Sequence, residues 1–235
     1  MRRSELKKII LTILIIVCGA VFLFAGDTAV FVDLGFSPDC RTYAFAQYGI
    51  QSGSLRPWAE LFIVDVASNN FVNGGRLSFV HDSAIRSGQD GSGALYRLIS
   101  QNTAITNRHN LNFLFLGSPL FISLEEPASP PRQNIEFRDF EAGSSYRASL
   151  VSTVGGTGSN LTSSFFISLE RRAGDGSLKN YTVGSPAVKR QGIDSYRIRK
   201  VLISPNDSSM IFIIEMKKQS GADYDIRFMV EALRL

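Results

Sequence analysis

LGFSPDCRTYAFAQYGIQSGSLRPWAELFIVDV, residues 34–66, is the stretch that best indicates how this chain folds. Its Ser37-Pro38-Asp39 is a turn signal, because proline presets the backbone angle while serine and aspartate side chains bond the local backbone. Residues 42–48 then alternate aromatic with small side chains, and residues 58–66 form a nearly continuous apolar run. Both patterns predict strands, the second one in the centre of its sheet.

A second copy of this pattern lies near the C-terminus, where Ile203-Ser204-Pro205-Asn206 aligns with Phe36-Ser37-Pro38-Asp39. In both copies an apolar strand begins seven residues after the first aligned residue, and a Gln-Ser-Gly loop and another strand follow. Self-similarity at fixed spacing is typical of a repeated supersecondary unit. The second copy keeps what a turn and a buried strand require, so we interpret both copies as scaffold rather than as a site.

The repeated unit resembles a β-propeller blade of the Tol-associated type, in which an FSPDG-like turn precedes an aromatic strand and a strand ending in Ile-Asp. Closed propellers need roughly four to eight blades of about 40 residues each, and only two copies carry the pattern here. We therefore predict a mainly antiparallel β fold with one short helical insertion and two blade-like units that do not close into a propeller.

The whole chain is similar to a family of predicted secreted bacterial proteins of unknown function. The features that carry this similarity are the GFSPD-x₃-YAF-x₂-YG opening at residues 35–49, the strand at residues 59–65, and the C-terminal Ser-Pro turn with its Glu-Ala-Leu-Arg-Leu ending. The resemblance implies export and a β-rich fold, and it brings no activity with it.

The first 25 residues predict export. A basic start is followed by an almost purely apolar run over residues 9–24 and by the small Ala25, which is the order of a secretory signal peptide. We predict cleavage after Ala25 and a periplasmic or extracellular protein. An uncleaved anchor stays open, because about 17 apolar residues is the lower limit for spanning a bilayer. A lipoprotein modified at Cys18 is the other alternative, and the membrane would be contacted only through this segment.

Most of the net positive charge of the protein lies in its first 25 residues. The net charge is +4, but Arg2, Arg3, Lys7 and Lys8 against Glu5 supply +3 of it, so the chain from Gly26 carries +1. A nearly neutral body lacks the basic face that nucleic acids require, so we expect no nucleic-acid partner.

We predict an N-terminal blade-like unit with a helical insertion at 26–125, a Pro-rich linker at 126–134, and a C-terminal antiparallel β unit at 135–235. Ser92 is the expected cap of the inserted helix.

No residue pattern predicts a catalytic group, a cofactor or a metal. His81 and His109 are the only histidines and stand in no metal-ligand spacing. Cys40 would be the only cysteine after cleavage, so it cannot form an internal disulfide. Gly91-Ser92-Gly93 lacks the preceding strand of a nucleophile elbow.

Basic side chains gather in the C-terminal half and predict a possible interaction surface. Arg197 and Arg199 lie on one face of a predicted strand, opposite Ile198. A solvated sheet face is the ordinary explanation, and contact with an anionic lipid, glycan or protein is the functional one. The residues of this possible surface are Arg197, Arg199, Lys200 and Lys217.

We therefore expect a non-catalytic binding or interaction module of the bacterial envelope, with an unknown envelope protein or a glycan as its partner. One alternative is a hydrolase with a cleft between the two β units, where Glu125, Glu126 or Asp82 would converge. A second alternative is a structural subunit of an envelope oligomer, because an unclosed repeat leaves edge strands unpaired.

Overall fold

The computed structural model describes residues 26–124, 132–221 and 223–235. The predicted signal peptide, and most of the predicted linker, lie outside the described residues. Within them, the chain forms three four-stranded antiparallel sheets and two α-helices. The sheets stack face to face, with the second sheet between the first and the third. The predicted fold class is confirmed, and the described strands close into neither a barrel nor a propeller.

The first sheet is a meander whose strands follow sequence order. Both of its faces are covered, one by the helices and the other by the second sheet, which explains why β2 is buried along most of its length. Its strands are β1 (Val30–Phe36), β2 (Thr42–Ile50), β3 (Pro57–Asp65) and β4 (Asn70–Val80).

The helical insertion is confirmed and consists of α1 (Ser92–Gln101) and α2 (Thr103–Arg108). Leu95 and Leu98 of α1 pack on the outer face of the first sheet. The prediction that Ser92 caps the helix is wrong, because Ser92 is already the first helical residue and the N-cap position is occupied by Gly91, which makes no side-chain cap bond. Instead Asp90 Oδ1 accepts the Ser92 backbone N–H at 2.6 Å, since a carboxylate two residues earlier reaches that orphan donor.

The second sheet lies at the centre of the stack. Ile211 and Ile213 of β11 pack against the first sheet, whereas Phe212 and Ile214 pack against the third. Burial on both faces explains the unbroken apolar run of this strand. In spatial order the sheet contains β12 (Asp223–Arg234), β11 (Ser209–Ser220), β10 (Ile193–Ile203) and β5 (Ser118–Ile122). Because β5 precedes the predicted linker, chain from both sides of that linker contributes to this sheet.

The third sheet is a second meander. Along β7 and β8 the side chains alternate, with Leu150, Ile167 and Leu169 packed against the central sheet and Arg147 exposed on the other face. Its strands are β6 (Arg132–Asp139), β7 (Ser144–Gly155), β8 (Thr162–Arg172) and β9 (Leu178–Gln191).

The two Ser-Pro turns have the same hydrogen-bond geometry. The hydroxyl of Ser37 donates to Asp39 at 2.6 Å and accepts the N–H of Thr42 at 3.0 Å. The hydroxyl of Ser204 donates to Asn206 at 2.9 Å and accepts an N–H five residues on at 3.0 Å. Phe36 and Leu202, which lie beside these turns, belong to one core cluster. The two similar units therefore lie in adjacent sheets.

Candidate functional site

The three sheets meet along the outer edge of β12. A groove of about 600 Å³ follows this edge, between β9 of the third sheet and the β3–β4 turn of the first. We call it the junction groove. Its lining includes Asn69 and Phe71 from the first sheet, Glu231 and Leu233 from the second, and Val188 and Arg190 from the third.

A buried carboxylate lies at the base of the junction groove. Glu231 is 5% exposed, and its two oxygens accept hydrogen bonds from the amide of Asn69 at 2.5 Å and the guanidinium of Arg190 at 3.3 Å. Burial raises the pKa of Glu231, and the bonds from Asn69 and Arg190 offset part of that rise. A buried ion pair is costly to maintain, so its position in a groove marks this cluster as a functional candidate.

Aromatic rings hold Arg190 in place. Its guanidinium carbon lies 4.8 Å from the ring centre of Phe165 and 5.9 Å from that of Tyr196. The hydroxyls of Tyr196 and Ser163 are 2.7 Å apart and hydrogen-bonded. A planar guanidinium stacked on rings and paired with a carboxylate has little rotational freedom. The polar base of the groove is therefore preorganised.

Two irregular edge strands shape the rim of the groove. The β8–β9 register shifts so that the residues between Ser185 and Arg190 protrude, and the β3–β4 register shifts between Phe62 and Val64. Such bulges redirect side chains at sheet edges and beside functional sites. They leave Val188 50% exposed and Phe71 45% exposed at the rim.

Gly184 lies beside the buried carboxylate of Glu231. A Cβ at Gly184 would lie 3.4 Å from the carboxylate of Glu231, and the backbone there has φ +76°. A residue with a side chain would be strained in this conformation. The position therefore favours glycine for a conformational reason, and an added Cβ would lie in contact with the carboxylate.

The floor of the groove is the outer edge of β12, and three backbone donors along this edge are satisfied by groups that do not belong to a neighbouring strand. The N–H of Phe228 donates to the side-chain oxygen of Gln47 at 2.7 Å, and the N–H of Ala232 donates to that of Asn69 at 2.6 Å. Farther along, Ile226 N–H donates to the carbonyl of Asp27 at 2.9 Å. These groups occupy places that the carbonyls of a neighbouring strand would take, so they block strand addition at these three positions.

A second, more polar cleft of about 400 Å³ lies between the first and second sheets at the other end of β12. There the guanidinium of Arg227 lies 4.3 Å from the ring centre of Trp58 and bonds the buried carboxylate of Asp27 at 2.8 Å. Burial raises the pKa of Asp27, and Arg227 lowers it in part. This cleft therefore holds the same kind of buried, ring-stacked ion pair as the junction groove, but it is smaller and lacks the apolar rim, which makes it the weaker candidate for a ligand site.

The structure places the predicted basic surface on β10 and β11 of the central sheet. Arg197 and Arg199 both contact the carboxylate of Glu215, at 2.7 and 3.3 Å, and their side chains are 13% and 32% exposed. The ammonium of Lys217 lies 3.9 Å from the ring centre of Tyr224. The role of these residues and Lys200 as an interaction surface stays a prediction.

The other residues considered from sequence are Asp82, Glu125, Glu126 and Cys40. Asp82 is exposed and lies 4.0 Å from Arg56, whereas Glu125 and Glu126 lie outside the described residues. Burial raises the pKa of the Cys40 thiol, which is 3% exposed. In the described part of the chain, no group of three or more His, Cys, Asp or Glu side chains could hold a metal ion.

The residues of the junction groove were not predicted from sequence. Glu231 carries the only available signal, since it interrupts the apolar run of the last strand. Its partners lie 162 and 41 residues away along the chain. Local patterns therefore could not bring the three together.

Comparisons with known proteins give a family and nothing finer. The family model described as "Predicted secreted protein (DUF2259)" matches residues 44–234, a range that includes the junction groove. No curated protein and no solved structure matches the chain. Among the described residues, no helix has the length and apolar character needed to cross a membrane. The match covers most of the chain, which therefore belongs to this family of predicted secreted proteins.

Proposed function

We propose that the protein is a non-catalytic binding module of the bacterial envelope and that the junction groove is its ligand site. The observation that carries the proposal is the preorganised Glu231–Arg190–Asn69 cluster at the base of a groove with exposed apolar rims. A volume of about 600 Å³ lies within the range of small-molecule and peptide side-chain pockets.

The charges of the groove select the class of ligand. Glu231 and Arg190 neutralise each other at the base of the groove, so a charged ligand group placed there would disturb a pair that is already satisfied. The other charged residue of the lining, Arg234, is exposed to solvent. Val188, Phe71 and Leu233 offer apolar contact around this polar base. We infer an uncharged amphipathic ligand, with an apolar part for the rim and amide or hydroxyl groups for the base.

Two finer features belong to the same proposal. The signal peptide at 1–25 would be removed on export to the periplasm or beyond, which the description of the family supports at the level of secretion. The Ser-Pro units would be propeller-blade-like repeats of the Tol type, which the shared geometry of the two turns supports.

A thermal-shift screen tests the binding proposal. The probes are uncharged capped di- and tripeptides, envelope-type amino sugars and short acyl glycerols, applied to the chain from Gly26, which contains every core cluster. A ligand at 100 times its Kd adds about 2.7 kcal/mol to the free energy of unfolding. For a chain of this length that raises Tm by roughly 5–10 °C.

Two matched variants locate the binding. Val188 and Leu178 both lie on β9 and are 50% and 51% exposed, but only Val188 lines the groove. Val188→Asp should abolish the ligand-induced shift, whereas Leu178→Asp should retain it. A panel with no hit, or a hit that survives Val188→Asp, would contradict the proposal.

A further inference from the structure

A ribbon of chain runs along the side of the stack opposite the junction groove. The Asn112 N–H donates to the Phe36 carbonyl at 3.1 Å, and the Phe36 N–H donates to the Phe115 carbonyl at 2.9 Å. The chain then enters β5, the last strand of the central sheet at the end away from β12. We call residues 112–124 the side ribbon. It borders the first sheet and the central sheet on the same side.

Side chains of the side ribbon divide into buried and exposed sets. Phe115, Leu120 and Phe121 pack against the two core clusters. Five other large apolar side chains of the ribbon are exposed to solvent, Leu114 and Leu124 almost fully. Their exposed fractions are 92% for Leu114, 90% for Leu124, 52% for Ile122, 47% for Leu116 and 41% for Phe113. Exposed apolar side chains concentrated in this way mark an interaction surface.

The chemistry of the ribbon indicates its partner. Residues 110–124 contain no Asp, Glu, Lys, Arg or His. A two-fold interface places each residue near its own copy, so an uncharged surface pairs with itself without like-charge repulsion. A lipid surface is disfavoured for another reason: a sheet edge placed in hydrocarbon would leave its backbone groups unsatisfied. A second copy of this chain can pair with that edge and brings an equally uncharged ribbon to it.

We propose that the side ribbon is the dimerisation surface of this protein. In the dimer, β5 of one protomer pairs with β5 of its partner, and Leu114, Ile122 and Leu124 are buried between them. Two four-stranded central sheets thereby join along one edge. Because the junction groove follows the opposite edge, at β12, both grooves stay accessible in the dimer. This inference does not depend on the proposed ligand site.

Sedimentation velocity of the chain from Gly26, over a range of concentrations, tests the proposal. We expect a monomer–dimer equilibrium, and the double variant Leu114→Glu/Leu124→Glu should raise the dimer Kd by at least about tenfold. Both leucines are nearly fully exposed, so the fold should tolerate the change. The matched control is Phe140→Glu, since Phe140 is 87% exposed at the β6–β7 turn and should leave the Kd unchanged.

Cross-linking and flotation separate the remaining outcomes. The variant Ile122→Cys should form a disulfide-linked dimer under mild oxidation, while Cys40 stays buried. A chain that remains monomeric at roughly 100 μM would overturn the proposal. So would an equal effect of Phe140→Glu, or a monomer that binds neutral or anionic vesicles through Leu114 and Leu124.

Discussion

At the scale of single residues, buried carboxyls set how stability changes with pH. Burial raises the pKa of Glu231, Asp33 and Asp27 above the ordinary carboxyl values. Such groups bind protons more tightly in the folded state, so their contribution to stability grows as the pH falls from neutral toward the pKa of the unfolded chain. Hydrogen bonds lower the pKa of Asp39 and Asp65, whose contribution is lost only in stronger acid. Stability should therefore be greatest in the mildly acidic range.

Glu231→Gln should reduce this pH dependence. The wild type is expected to gain free energy of unfolding between pH 7 and pH 5, measured by urea titration, and the variant should gain less because its amide cannot titrate. Glu136→Gln, whose side chain is 72% exposed, should keep the wild-type slope. Equal slopes for Glu231→Gln and the wild type would show that Glu231 is not the group responsible.

At the scale of elements, the two Ser-Pro turns should be energetically equivalent. Ser37→Ala and Ser204→Ala each remove a buried hydroxyl that satisfies a backbone N–H. Each variant should lose about 1–2 kcal/mol, as measured by chemical denaturation. Ser54→Ala, which removes an exposed hydroxyl, should lose less than roughly 0.5 kcal/mol. A large difference between the two buried sites would contradict the equivalence of the units.

Strands and turns could be predicted from sequence where the residues that determine them are neighbours in the chain. The Ser-Pro turns, β2 and β3 could be predicted because proline, the Asx side chains and alternation act over a few residues. Residues 186–192 begin with proline, end with glycine and contain two basic side chains, which predicts a loop. The structure instead places most of them in the bulged edge of β9. A bulge depends on its partner strand, so its sequence alone looks like a turn. Asn73-Gly74-Gly75 likewise predicts a turn, but the structure places these residues within β4, where the pairing with β3 shifts in register.

The junction groove could not be predicted, because three sheets contribute to it. In the sequence alone, Asn69 is an ordinary turn residue, and Arg190 is one of several basic side chains that would be expected in solvent. Their roles come from the stacking of the sheets, which brings both of them to Glu231. Stacking order is a tertiary property, which neither periodicity nor turn chemistry determines.

At the scale of the whole molecule, the central sheet connects the other two. One core cluster joins it to the first sheet and a different one joins it to the third. β5 reaches this sheet from before the predicted linker, and β10, β11 and β12 reach it from after. The two predicted units should therefore unfold together rather than in sequence.

Equilibrium unfolding of the chain from Gly26, followed by two probes, tests this claim most directly. Trp58 is the only tryptophan of the chain and lies in the first sheet beside Arg227 of β12, so its fluorescence reports on that interface. Far-UV circular dichroism reports on the strands of all three sheets. We predict transitions with the same midpoint in urea. A fluorescence transition separated from the dichroism transition would contradict this prediction, since it would mean that the sheets fold as independent units.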